Sequence, residues 1–237
     1  MLEVLAPRRR SYITLPGYRA GMKPLNAGNT YPAEVLTREE VNRLLAACSR
    51  KGNAGLRNRA LIVVLYRSGL RCAEALALQP KDVDMTIGTI TVLHGKGDRR
   101  RTVGIDAQAL DVLELWMARR RALGVPAGSP VFCVISRQNL GAPMYGSYFR
   151  DALKKLAQTA GIDKRVHPHG LRHTHASELA REGVPLHVIR RQLGHQDLAT
   201  TARYVDHLSP WEVIDAIRAR QAWTHEVTSN DSVSEAS

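Results

Sequence analysis

The chain has 237 residues, 44% of them hydrophobic, enough for one large domain or two small ones with a real core, so a wholly disordered chain is excluded. Its 34 Lys and Arg stand against 22 Asp and Glu, a formal net charge of +12 that points to a polyanionic partner, nucleic acid first and an anionic membrane surface second. The longest apolar run, Ala60 to Tyr66, is far short of the roughly 20 residues of a spanning helix, and Met1 to Arg10 lacks the apolar stretch of a secretory leader, so no membrane association and a cytoplasmic location are expected.

Residues 1–36 hold Pro7, Pro16, Pro24 and Pro32 with scattered Arg and Tyr and no helical or strand period, and read as a basic extended arm. Two readings stand for it: a solvated tail, or a segment laid along a phosphate backbone through Arg8, Arg9, Arg10, Tyr12, Tyr18, Arg19 and Lys23. The folded domain, residues 37–222, opens where Thr37 and Glu40 form a capping box and Val41, Leu44, Leu45 and Cys48 recur at helical spacing. A second helix runs over 56–68 and ends at Gly69, suited to a left-handed C-cap; a short third helix covers 72–78. After Pro80 the period becomes two, over Val83 and Met85, Thr89 to His94 and Arg101 to Ile105, which predicts a small antiparallel sheet with a turn at Gly95-Lys96-Gly97. Helices return over 107–123, 148–160, 171–181 and 186–193, and Ser209, Pro210 and Glu212 start a last one over about 209–222. The polar tail, 223–237, is expected to be disordered. Cys48, Cys72 and Cys133, odd in number and set in apolar stretches, read as reduced, packed thiols. The class predicted is mainly α with a small antiparallel β-sheet.

Five short segments carry residues capable of chemistry. Arg71, just after a helix-ending glycine and among apolar neighbours, is either half of a surface pair with Glu74 or a cation awaiting an anion. Lys96, between two glycines, is a solvated turn lysine or a proton donor; the GxxxxGK[ST] spacing of a phosphate-binding loop is absent. His167, His169, His173 and His175 surround Arg172 near a helix start, where His169 and Arg172 share a face and backbone N–H groups favour a phosphate. Zinc on His169 and His173 is disfavoured, because Gly170 stands where HExxH has glutamate and no Cys is near. His195 follows Gly194, and Tyr204 follows nine residues later; each alone is ordinary, a cap and a core residue.

Together they supply what breaking a phosphodiester without metal requires: arginines to neutralise a pentacoordinate phosphorane, a tyrosine hydroxyl as nucleophile, a histidine to take its proton and a lysine to protonate the departing oxygen. With GLRCAE at 69–74, GKG at 95–97, HGLRH at 169–173, LGH at 193–195 and Tyr204, in this order and spacing, the chain resembles the tyrosine recombinases of the phage integrase and Xer type over about Thr37 to Gln221. The resemblance implies that fold's catalytic domain, in which Arg71 and Arg172 hold the scissile phosphate and His169 aids proton transfer from the nucleophile. By the same resemblance His195 supports the transition state, Lys96 is the general acid and Tyr204 forms a 3′-phosphotyrosine. It implies site-specific recombination of double-stranded DNA with no cofactor and no metal. It further implies a homotetramer on two sites joined by the C-terminal helix, with Trp211 and Ile214 as anchors, and an accessory DNA-bending protein as a possible partner. Most such recombinases carry a helical core-binding domain before the catalytic one, which the first 36 residues are too few to form, so a short catalytic-domain-only form or a truncated integrase is expected. Arg99, Arg100 and Arg101 after the lysine turn, and Arg190 with Arg191 before LGH, are expected to face DNA, as are Arg8, Arg9 and Arg10 if the arm binds. Arg119, Arg120 and Arg121 read as simple helix-end charge. Two other activities stay open, relaxation of DNA by a type IB topoisomerase and DNA binding without catalysis.

Overall fold

Thr37 starts the first helix by the means its residue type offers. Its hydroxyl accepts from the Glu40 backbone N–H at 3.2 Å while the Glu40 carboxylate accepts from the Thr37 N–H at 2.7 Å, so two otherwise orphan donors are satisfied reciprocally. In the computed structural model, which describes residues 34–49, 51–93, 100–194 and 217–218, this helix is α1 (Arg38–Ala47). It is followed by α2 (Asn53–Ser68), α3 (Cys72–Ala77), β1 (Val83–Asp84), β2 (Thr89–Val92), β3 (Arg101–Gly104), α4 (Ala107–Ala122), α5 (Gly146–Thr159), α6 (Pro168–Arg181) and α7 (Leu186–Leu193). The chain is thus mainly helical, with a three-stranded antiparallel sheet in the order β1-β2-β3. No helix among the described residues is long and apolar enough to cross a membrane.

The apolar run Ala60 to Tyr66 is the middle of α2, and all seven of its residues are buried. A helix apolar all round must be enclosed, and α2 packs against α4 on one side and α6 on another. Leu44, Leu61, Leu65, Ile90, Leu113, Trp116, Phe132, Phe149, Leu153 and Leu171 fill the core around it. Trp116 donates its indole N–H to the Val131 carbonyl at 2.9 Å, which makes so polar an edge tolerable inside. A smaller cluster of Ala176, Ile189 and Leu193 joins α6 to α7.

Two helices begin three residues before their expected starts, α2 at Asn53 and α6 at Pro168, because a first turn carries polar residues outside the apolar period. Between α4 and α5 the chain is not a plain connector: Cys133 bridges to Pro143, a 3-10 turn spans Arg137–Asn139, and Val131, Phe132, Cys133 and Met144 are buried. Cys48 and Cys133 are free and buried and Cys72 is free and half-buried; burial raises the Cys48 thiol to about 11. Arg120 is no helix-end charge. It is buried and donates to the carbonyls of Pro126, Ser129 and Pro130, whereas Arg119 and Arg121 are exposed. The N-terminal arm to residue 33 with Arg8, Arg9 and Arg10, the Lys96 turn with Arg99, the positions of His195 and Tyr204, the anchors Trp211 and Ile214, and the polar tail lie outside the described residues. Of the helix expected over 209–222, Ile217 and Arg218 are described, helical and exposed.

Candidate functional site

Two helix C-termini meet at one corner of the domain. Gly69 caps α2 at φ 65° and Gly194 caps α7 at φ 66°, both in the left-handed region that favours glycine. Each terminus leaves carbonyls without an intrahelical partner and a partial negative charge. Arg172, on α6 and 1% exposed, links the two. Its Nη1 donates to the Gly69 carbonyl and its Nη2 to the Leu193 carbonyl at 2.6 Å. Gln192 adds a second tie: Nε2 donates to Ser68 O at 3.1 Å and Gly104 O at 2.8 Å, while Oε1 accepts from the Gly104 N–H at 3.0 Å. α7 is thereby fixed to both the end of α2 and the end of β3.

Arg71 stands at the N-cap of α3, two residues past the α2 cap. Its Nη1 donates to Glu74 Oε1 at 2.8 Å and its Nη2 reaches the Gly194 carbonyl at 3.5 Å, so the guanidiniums of Arg71 and Arg172 address successive carbonyls of the same helix end. The pair with Glu74 is present, but it is no surface pair: the Glu74 side chain is 5% exposed, against 31% for Arg71. Glu74 Oε2 also accepts from the Arg71 backbone N–H at 2.8 Å. A second arginine, Arg101, donates Nη1 to Oε1 at 2.9 Å and Nη2 to Oε2 at 2.7 Å. Burial works to raise the Glu74 carboxyl; the hydrogen bonds and charges of Arg101 and Arg71 outweigh it and hold the group down at about 2. A cleft of about 690 Å³ runs beside this cluster, between α3 and β2, floored by Ala73, Ala77, Leu78 and Val92.

The histidines fall into distinct settings. His167 caps α6 by accepting from the Gly170 N–H at Nδ1, 3.0 Å. His169 is exposed and meets the half-buried His173 edge-on, with ring centroids 4.2 Å apart. His175 is 4% exposed, behind Gly69, and burial first, then the charges of Arg67 and Arg172, lower its pKa to about 4. Among the described residues no three His, Cys, Asp or Glu side chains are grouped to hold a metal ion.

Of the arginines expected on a DNA face, Arg100 and Arg191 are exposed and Arg190 half-buried. Arg101 is turned inward onto Glu74 instead. Period two would have found it: Arg101 shares a strand face with Val103, which is buried, and sits opposite buried Val92. Sequence reasoning gave Glu74 only as a surface partner and passed over Gln192. The Gln192 signal is helical spacing, since it stands three residues past the buried Ile189.

Residues 34–209 match the model of the phage integrase family. The chain is 33% identical over 190 residues to tyrosine recombinase XerD of Neisseria meningitidis serogroup B, covering 80% of this chain and 64% of that protein. It superposes on the XerA recombinase crystal structure with a TM-score of 0.67 at 29% identity, covering 84% of this chain and 70% of that one. On the XerH site-specific recombinase bound to a palindromic difH substrate in a post-cleavage complex, the TM-score is 0.64 at 28% identity, over 81% of this chain and 54% of that one. The chain therefore spans just under two thirds of the Neisseria relative and about half of the XerH chain.

Proposed function

Because the chain belongs to the phage integrase family, we propose that it is a cytoplasmic DNA strand transferase that cuts and rejoins double-stranded DNA at specific sites through a covalent tyrosine intermediate. The observation that carries this reading is the convergence of Arg71 and Arg172 on successive carbonyls, Gly194 and Leu193, directly before His195 in the sequence. Two forked cations at one corner suit the paired non-bridging oxygens of a phosphate. In this reading the Tyr204 oxygen attacks phosphorus. Its proton passes toward His169, the bond from phosphorus to the 5′-oxygen breaks, and Lys96 gives that oxygen its proton. His195 steadies the charge on the transition state. The products are a 3′-phosphotyrosine and a free 5′-hydroxyl, and reversal by another strand's hydroxyl reseals the DNA. Four protomers on two sites, joined through the helix that follows Ser209, complete the proposal, with a DNA-bending protein as an added partner.

The test is a covalent adduct resolved on a denaturing gel from nicked duplexes tiled across the DNA that flanks the gene. The wild-type protein should form it and Tyr204→Phe should not. An adduct from Tyr204→Phe removes the nucleophile from the proposal, and relaxation of supercoiled plasmids regardless of sequence replaces recombination with topoisomerase activity.

A further inference from the structure

We propose that Arg101 is a positioning residue that keeps the Arg71 guanidinium turned toward the Gly194 corner by occupying the Glu74 carboxylate that Arg71 would otherwise close upon. The inference rests on the function proposed above and concerns a residue that sequence reasoning had placed on the DNA surface.

Glu74 offers two oxygens with about four acceptor positions. All four are taken: Arg101 Nη1 and Arg71 Nη1 on Oε1, Arg101 Nη2 and the Arg71 backbone N–H on Oε2. The fork-to-fork geometry, the strongest an arginine and a carboxylate can make, belongs to Arg101 and not to Arg71. Arg71 is left with a single side-chain bond to Glu74, and its other terminal nitrogen points at the Gly194 carbonyl. With Arg101 removed, the carboxylate is free to rotate and Arg71 to pair with it through both terminal nitrogens, which draws the cation away from the corner where a phosphate would meet Arg172.

Arg101 is itself held for this task. Its side chain is 14% exposed, and it lies so close to Gly194 that a Cβ there would come within 2.7 Å of its Nε. That Nε is buried and has no hydrogen-bond partner among the described residues. The side chain is therefore set by the Glu74 fork and the Gly194 backbone together, and it joins β3 to both α3 and the end of α7.

The test compares the rate of covalent adduct formation, on nicked duplexes from the gene's flanking DNA, for the wild type, Arg101→Ala, Arg101→Lys, Glu74→Gln and the Glu74→Gln/Arg101→Ala pair. Arg101→Ala is expected to slow the adduct about tenfold to a hundredfold, the size of effect a misplaced catalytic group produces, with duplex affinity changed less than about threefold. Arg101→Lys keeps charge and stem but cannot bridge both oxygens, so it too is slowed; it carries the test should the alanine variant fail to fold. The deciding readout is the pair: with the carboxylate neutralised there is no strong trap for Arg71, and removing Arg101 costs nothing further. A wild-type rate in folded Arg101→Lys, or the same slowing by Arg101→Ala in both backgrounds, overturns the positioning role. Absence of any adduct from the wild type overturns the function it rests on, and this role with it.

Discussion

His175 should set how the domain responds to acid. It lies on α6 behind the α2 cap, 4% exposed, with Nε2 buried and without a hydrogen-bond partner among the described residues. Burial above all, then Arg67 and Arg172, push its pKa to about 4; Asp106 and a backbone hydrogen bond at Tyr66 pull the other way without reversing this. In the unfolded chain the imidazole regains its ordinary value of 6.5. Between these values the unfolded chain binds a proton that the folded one refuses, so the stability present above 6.5 is lost as pH falls through 4. At about 1.4 kcal/mol for each factor of ten, the whole loss is about 3 kcal/mol, with about 2 kcal/mol gone by pH 5. His175→Phe keeps a ring in the space and removes the titration. Urea unfolding followed by far-UV circular dichroism, at steps from pH 7.5 to 4.5, gives two stability curves. Carboxylates that titrate in both proteins, Glu74 and Asp106 among them, cancel in the difference. That difference should shift toward the phenylalanine variant by about 2 kcal/mol between pH 7.5 and 5. Curves that stay parallel would refute the reasoning, because a buried neutral imidazole cannot be indifferent to its own protonation.

Gly69→Ala strains a left-handed position, and its Cβ would come within 2.5 Å of the His175 ring and 2.8 Å of Leu193 Cδ2; a loss of at least about 2 kcal/mol in urea unfolding is expected, and an unchanged midpoint would contradict the close packing of this corner. Duplex affinity, read by fluorescence anisotropy, should fall about 10³-fold to 10⁵-fold from 50 to 200 mM salt if about 6 to 10 phosphates are neutralised, and a flat response counts against an electrostatic interface.

The parts of the fold that were legible in the sequence are those set by local chemistry. Thr37 and Glu40 announced α1 because capping is decided within four residues, and Gly69 announced the end of α2 because few other residues accept its backbone. The alternation from Val83 to Ile105 gave the sheet, and its pairing of Val92 with Arg101 sets the register on either side of the segment that holds Lys96. What was not legible depends on partners far along the chain. Arg120 reads as helix-end charge until the loop after it folds back to offer three carbonyls, and the Cys133 to Pro143 bridge forms between segments with no shared period. Glu74 was visible as a neighbour of Arg71, but its second partner is 27 residues away, where no local pattern reaches. At the site, sequence order named Arg71 and Arg172, while nothing in it says that the carbonyls of Gly69, Leu193 and Gly194 are what hold them.

Those carbonyls bear on the charge of the corner. A buried cation is usually matched by a carboxylate, because leaving it alone costs several kcal/mol. Arg172 donates to the backbone oxygens of Gly69 and Leu193, which carry no formal charge of their own. Arg71 and Arg101 share the one carboxylate of Glu74. The two helix C-termini bring about half a negative charge each to the same corner. In so partly desolvated a place an anion is worth more than it is in water. His175 lies against the same corner, where burial first and then the charges of Arg67 and Arg172 make it reluctant to take a proton.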